Sequence, residues 1–472
     1  MTIHHVTSSR FKEQSHAALA DAVLQGNLTR MRGNFLPRRA KVRDGLPEFD
    51  DLRDAGIAIK KHTIAHLDLY LEAFEAAVAA TGGTVHWAAD AGEARAITLS
   101  ICQELGARTV TKGKTMVGEE IGINPYLEAH GITPVETDLG EYIIQLADQP
   151  PSHIIAPAIH LNRAQVGQIF ADHHPHLKGR VMEDVDEMLD DARGVLRQRF
   201  LDADVGITGA NFLIAETGQT VIVTNEGNGD LTQLLPKAHI VLAGIEKVVP
   251  TLEDATTILR VLARSATGQE MSAYTTFSAG AARPGDPDGP GAFHVVLIDN
   301  GRSALLGGET EDILRCIRCG SCLNACPVYG KVGGHAYGSN YSGPMGAILT
   351  PALAGMAEAH HLPNASSLCG RCEEVCPMRI PIPKMLRHFR EEEMKMGLAP
   401  AAARRGLKLW AKLASRPALW RRATSLVTSV LGAMGRRRGR FSALPLSGAW
   451  TATRDLPAPQ GKSFQSQWAR RS

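Results

Sequence analysis

Seven of the eight cysteines fall between positions 316 and 376, and their spacing points to redox chemistry. The run CIRCGSCLNACPVYG sets Cys316, Cys319, Cys322 and Cys326 in a C-x2-C-x2-C-x3-C pattern that closes on Pro327. Structural zinc sites pair two thiols with a second pair farther along, and a disulfide network needs an oxidising compartment. This run matches neither. It is the spacing that wraps a cubane iron-sulfur cluster: three thiolates on one tight loop each reach a different iron, and the fourth points away toward another cluster. A second motif must then follow, and SSLCGRCEEVCPMRIPI supplies Cys369, Cys372, Cys376 and Pro377. Reciprocity assigns Cys316, Cys319, Cys322 and Cys376 to one cluster and Cys326, Cys369 and Cys372 to the other. Such a pair makes an electron relay rather than a structural clip.

The second motif departs from the first at one place. A full repeat would carry a cysteine three residues before Cys369, where this chain has Ser366. The second cluster is therefore either a 4Fe-4S cube whose last iron takes Ser366, water or a partner's ligand, or a 3Fe-4S cluster. Gly320 and Gly370 each follow a cysteine directly, as suits loops whose amides approach cluster sulfurs and equally suits ordinary turns. Cys102, in ITLSICQEL, reads as a small buried side chain. His335, His360 and His361 read as surface or packing residues, because the thiols already account for the clusters.

The elements that must hold these loops follow from patterning. At 472 residues, 44% hydrophobic and 21% charged, the chain is long enough for two or three packed domains and unlike a disordered one. Upstream of about 305, short β-branched runs alternate with helical segments and glycine-rich turns, the signature of a sheet covered by helices. EAFEAAVAATGG reads as a helix ending at Gly82, TVHWAA as a strand, EARAITLSICQELG as a helix ending at Gly106, and RTVTKGKTM as a strand and loop. The acidic stretch EDVDEMLDDAR reads as a solvated helix face. Downstream, GAILTPALAGMAEAH is helical, and IPIPKMLRHFREEEMKMG places Met385, Leu386 and Phe389 at helical spacing. The division expected is an N-terminal arm over 1–60, an α/β domain over 61–304, a helical ferredoxin domain over 305–395 and a basic, tryptophan-containing region over 396–472.

The segments KGKTMVGEEIGINPYLEAHGITPVETDLGEYIIQL, PSHIIAPAIHLNRAQVGQIF and ADVGITGANFLIAETGQTVIVTNEGNG, with the two cysteine motifs, resemble the iron-sulfur lactate utilisation protein B family along essentially the whole chain. The resemblance implies an α/β lactate-utilisation domain of the sugar-phosphate isomerase and CoA-transferase-like fold, followed by an α-helical ferredoxin domain with two 4Fe-4S clusters. It carries the cluster ligands onto the same seven cysteines, with three in the second motif. It also implies oxidation of L-lactate to pyruvate, together with a cysteine-rich subunit and a small subunit built from the lactate-utilisation domain alone. No G-x-G-x-x-G or flavin fingerprint is present, so the chain is expected to pass electrons rather than extract them. The alternative is a self-sufficient enzyme acting on a small organic acid or CoA ester in the α/β domain, with accessory clusters.

Within that domain, Lys112 and Lys114 of TKGKT and the amides around Asn225 and Glu226 in TNEGNG are candidates to cradle a carboxylate or phosphate, with Glu216 and Glu226 as acid candidates. The bland alternative is tight strand connections and solvated lysines. Residues 401–472 carry 15 Lys plus Arg against one acid, Asp455, while the preceding 400 residues carry 36 against 48. Arg436, Arg437 and Arg438, interleaved with Trp410, Trp420, Trp450 and Trp468, suit an acidic partner or a membrane surface; the alternative is a solvated, partly disordered tail. Nucleic acid is not expected, since no recognised binding fold accompanies the charge. Without an export signal or a spanning apolar stretch, the expected location is cytoplasmic, with peripheral contact at the inner face of the membrane through the basic tail.

Overall fold

The computed structural model describes residues 6–444, 447–451 and 454–469. Ten strands lie between residues 84 and 298: β1 (Thr84–Ala88), β2 (Thr109–Gly113), β3 (Thr133–Glu136), β4 (Val205–Gly209), β5 (Phe212–Ile214), β6 (Gln219–Thr224), β7 (Ala238–Gly244), β8 (Val248–Val249), β9 (Tyr274–Ser278) and β10 (Ala292–Ile298). Six of them form a wholly parallel sheet in the order β1-β10-β7-β4-β2-β3. Its central strands β4 and β7 are buried along their whole length, as a parallel sheet covered on both faces requires. Alternation sorts their side chains. Ile240 and Leu242 join the cluster that contains Ala94 and Cys102 of the helix Ala91–Glu104, whereas Val241 and Ala243 join Leu71 and Phe74 of the helix Leu67–Ala80.

The punctuation residues act where the patterning places them. After the helix Leu67–Ala80, Gly82 takes a φ of 80°, and after Ala91–Glu104, Gly106 takes 61°, left-handed positions that glycine fills without a Cβ penalty. The Asp90 side chain starts the second of these helices by accepting from the N–H groups of Gly92 and Glu93. Cys102 is buried, and its thiol is pushed up to about 12 by desolvation. The acidic helix Val185–Leu201 is solvated on one face only, with Met188, Ala192, Leu196 and Phe200 buried on the other.

A second, four-stranded sheet in the order β8-β5-β6-β9 leads from the parallel sheet to the cysteine motifs. Phe212, Ile214, Val221 and Val249 of this sheet share one core with Ile317, Leu323, Met345, Met378 and Phe389. The change of secondary structure near residue 305 is therefore not a change of packing: residues 1–393 form one compact unit, and 394–472 a second. Residues 1–60, an arm by sequence, are mostly helical and contribute to the first unit's core. Leu28, Met31, Phe49 and Leu52 are buried there, on the helices Ala22–Asp44 and Phe49–Ala65. The second unit contains the helices Ala401–Ala414 and Pro417–Gly435, on which Leu409, Trp410, Leu426 and Met434 are exposed. No helix among the described residues is long and apolar enough to cross a membrane.

Candidate iron-sulfur centre

The two cysteine motifs have the same backbone. Arg318, Cys319 and Gly320 run with φ of 57° at Arg318 and 73° at Gly320; Leu368, Cys369 and Gly370 repeat this with 55° and 81°. Each turn opens a short helix, Ser321–Ala325 or Arg371–Glu374, carrying Cys322 or Cys372. In this repeat Ser366 occupies the place of Cys316, and its hydroxyl accepts from the Leu368 N–H at 3.1 Å. Non-glycine residues at positive φ are uncommon, so a pair at equivalent places marks loops shaped for a purpose.

The thiols fall into two groups. Cys316, Cys319, Cys322 and Cys376 line one small cavity with Ile154 and Met345. Burial pushes the Cys376 thiol up to about 12, helped by the nearby Cys319 and Cys316. Cys322 is raised further by burial and by Cys316, Cys319 and Cys376. In the other group, burial and then Cys326 and Cys369 push Cys372 up to about 12, and Cys326 is raised by burial and by Cys369. Thiols placed so close in apolar surroundings resist ionisation unless a cationic centre binds them, and the donor set thus fits an iron-sulfur cluster. A second observation agrees. The hydroxyl of Tyr337 is buried and has no hydrogen-bond partner among the described residues, and it lies within the electrostatic reach of Cys326, Cys322 and Cys372. An orphaned donor between the two thiol groups is explained by a sulfur acceptor.

The surroundings of the two groups differ. Cys369 is exposed, whereas Cys319 and Cys376 are buried in the core formed with the second sheet and Cys316 and Cys322, partly buried, pack against it. Long-range contacts fix both. Arg39 donates to the Val375 carbonyl at 2.8 Å and Arg53 to that of Cys376 at 2.7 Å, so the N-terminal helices hold the second motif. Asn324 donates to the Ala266 carbonyl at 3.1 Å and meets the His153 ring at 3.0 Å, tying the first motif to the α/β part. The Tyr329 hydroxyl donates to the Ser152 carbonyl at 2.8 Å.

Beside the first group lies a buried charge network that sequence spacing did not reveal. Arg302 makes a bidentate pair with Glu120 at 2.9 and 2.7 Å and reaches Glu246 at 2.8 Å. Tyr341 donates to Glu120 at 2.6 Å, and Arg318 reaches Glu246 at 3.3 Å while stacking over the Tyr341 ring at 5.0 Å. Two of the three histidines named above are otherwise occupied, His335 by the Pro150 carbonyl at 2.8 Å and His360 by Glu393 at 2.9 Å, while the His361 Nε2 is buried without a hydrogen-bond partner among the described residues.

The five anion-site candidates are dispersed. Lys112 is buried and paired with Glu119 at 2.6 Å and Glu136 at 2.7 Å, so it is neither a solvated lysine nor one with a free ammonium. Its neighbours explain this, for the ammonium supplies the counter-charge that the buried Glu136 and the partly buried Glu119 need. Glu216 is exposed and accepts from the Leu252 N–H at 3.3 Å. Lys114, Asn225 and Glu226 do come together, along an open cleft of about 520 Å³. Burial raises the Glu226 carboxyl, with Asp138 adding to the rise and Lys114 opposing it.

Residues 71–298 match the LUD domain, 312–380 the 4Fe-4S dicluster domain and 382–472 the lactate utilisation protein B C-terminal domain. A lactate utilization protein B of Geobacillus thermodenitrificans is 42% identical over 468 residues, spanning 98% of this chain and 97% of that one. This chain belongs to the lactate utilisation protein B family. Another member, from Lysinibacillus sphaericus, is 40% identical over 462 residues, 98% of this chain and 96% of its own. An uncharacterized electron transport protein of Escherichia coli, YkgF, is 39% identical over 463 residues, with 98% and 96% covered. A crystal structure of a DUF162 family protein from Deinococcus radiodurans overlaps 49% of this chain and 98% of its own, at 15% identity and a TM-score of 0.28. With its dicluster domain over the two motifs, the chain is an iron-sulfur protein of the 4Fe-4S class.

Proposed function

We propose that this chain is the iron-sulfur electron-transfer subunit of a multi-component system that oxidises L-lactate to pyruvate and so opens lactate as a carbon source. The observation that carries the reading is the sorting of seven thiols into a group of four without an exposed member and a group of three that reaches the surface at Cys369. A 4Fe-4S cluster supplies one-electron transfer, and L-lactate gives up two electrons and two protons on becoming pyruvate, so two clusters match the stoichiometry. The ligands are Cys316, Cys319, Cys322 and Cys376 for the first cluster and Cys326, Cys369 and Cys372 for the second, with Ser366, water or a partner group on the last iron or a 3Fe-4S cluster in its place. The apolar side chains around the first group keep water out, and Arg318 lies within electrostatic reach of Cys316. The α/β part belongs, on this reading, to the sugar-phosphate isomerase and CoA-transferase-like fold, and the partners are a cysteine-rich subunit and a small subunit built from the lactate-utilisation domain.

Purified chain, loaded with clusters, is expected to give no lactate-dependent dye reduction alone and to support it once both partners are added. Turnover by the isolated chain would instead favour a self-sufficient enzyme.

The basic second unit is assigned to docking, on an acidic partner or on anionic lipid at the inner face of the membrane. Arg436, Arg437 and Arg438 are exposed, and Trp410 and Trp468 stand exposed with them for desolvated contact. Truncation after about residue 393, where the first compact unit ends, is expected to keep the iron and the visible absorbance and to lose association with the assembly. Association of the full chain should weaken as salt shortens the Debye length from about 10 Å at 0.1 M to about 3 Å at 1 M. Normal assembly and turnover of the truncated chain at low salt would make the unit a solvated extension.

A further inference from the structure

A cavity of about 140 Å³ lies between the C-terminal ends of β2, β4 and β7 and the loop that carries Cys319. Lys114, Gly209 and Leu242 line it from the strands, and Arg318 and Cys319 from the loop. Ligands of open parallel sheets bind at this edge. The lining holds three cations, Lys114, Lys247 and Arg318, and no Asp or Glu. Arg318 is already engaged by Glu246 and the Tyr341 ring. Lys247 is only 7% exposed and makes no hydrogen bond or ion pair among the described residues, with Glu246 and Cys316 within its electrostatic reach. A nearly buried ammonium gains from a hydrogen-bonding partner, and an anion in the cavity would supply one.

Size narrows what the partner is. An apolar cavity of roughly 150 Å³ holds benzene, six non-hydrogen atoms, and L-lactate and pyruvate also have six. Flavins, nicotinamide dinucleotides and CoA have several times as many and exceed its volume. Met116, Ile154 and Leu262 add apolar side chains to the lining, suited to a methyl group. The open cleft described above shares Lys114, Ile155 and Asn225 with this cavity and leads into it.

We infer that the cavity binds a three-carbon 2-hydroxy- or 2-oxo-carboxylate, with its carboxylate on Lys247 and Lys114, against the loop of the four-cysteine group. The inference rests on the lactate-oxidising role proposed above and places the small acid on this subunit, next to its inner thiols and away from the exposed Cys369. It concerns binding alone.

Calorimetry on the cluster-loaded full chain, with L-lactate, pyruvate, acetate and inorganic phosphate as probes, tests it. L-lactate or pyruvate is expected to bind once per chain, and Lys247→Met to weaken binding by about tenfold or more, as loss of a buried charged partner does. Lys114→Met should weaken it less, since that side chain is partly exposed. Free of ligand, Lys247→Met should melt above the unmodified protein, because an unpaired buried charge is gone. Pyruvate should also shift the spectrum of the reduced clusters, since Cys319 lines the cavity. Several results would overturn the inference: no binding up to about 10 mM, acetate or phosphate binding as tightly as the three-carbon acids, or unaltered binding by Lys247→Met. A variant whose cluster potential moves while its binding holds would assign Lys247 to the cluster as a counter-charge. If the acids do not bind and the chain still carries electrons in the assembled system, the inference falls and the electron-transfer role stands.

Discussion

Cys376→Ser is expected to remove the first cluster and spare the second, and Cys326→Ser to do the reverse, although each residue belongs by sequence to the opposite motif. The basis is the placement of the thiols. Cys376 shares a cavity with Cys316, Cys319 and Cys322, while Cys326 feels Cys369 and Cys372. After anaerobic reconstitution the unmodified chain should hold about seven or eight irons, and each variant about half of them. Spectra of the reduced variants would show which half remains. Loss confined to the motif that carries each substitution would sink the crossed assignment, and four irons or fewer in intact unmodified protein would sink the second cluster altogether. Ser366→Cys is a useful companion, because it restores the missing position of the repeat. Should it convert a 3Fe-4S signal to a 4Fe-4S one, the fourth ligand is settled by chemistry.

What the sequence disclosed and what it hid divide along physical lines. The thiols were legible because cluster loops need fixed spacing within a few residues, and the positive φ of Gly320 and Gly370 follows from the same local demand. Strands β1 and β2 and the helix between them were legible because caps, glycines and β-branched runs act locally. The role of residues 1–60 was not. Arg39 and Arg53 look like surface charges, and only the fold brings them to the carbonyls of Val375 and Cys376, more than 300 positions away. Lys112 was misread for the same reason: its partners Glu119 and Glu136 are near in sequence, but their enclosure depends on the packing of a whole sheet edge. Lys247 carried no signal at all in EKVV. A buried lysine with no polar partner can be recognised only when everything around it is known to be apolar or already paired.

The network around Arg302 should prove the costliest to break among single substitutions outside the cysteines. Arg302, Glu120 and Glu246 are essentially without solvent contact, so their charges depend on one another. Burial would lift both carboxyls; Arg302 holds Glu120 below the usual range, and Arg302 with Arg318 holds Glu246 at about 2. Lys60 contributes from the N-terminal helices by donating to the Glu246 carbonyl at 2.5 Å. Arg302→Met leaves Glu120 buried with only Tyr341 and Asn300 as donors and Glu246 with the more distant Arg318, and the expected loss is about 3–5 kcal/mol. Denaturant unfolding of the cluster-loaded chain measures it. Because the penalty comes from stranded charge rather than from lost attraction, adding Glu120→Gln should recover part of it, and a double variant worse than the single one would refute that account. The pH dependence follows in sign. Carboxyls whose folded pKa is depressed stabilise fully above the ordinary carboxylate range, near 4, and lose that contribution as pH falls toward 2. The unmodified protein should therefore lose stability through that window, and Arg302→Met, in which Glu120 is no longer held down, should lose less over the same fall.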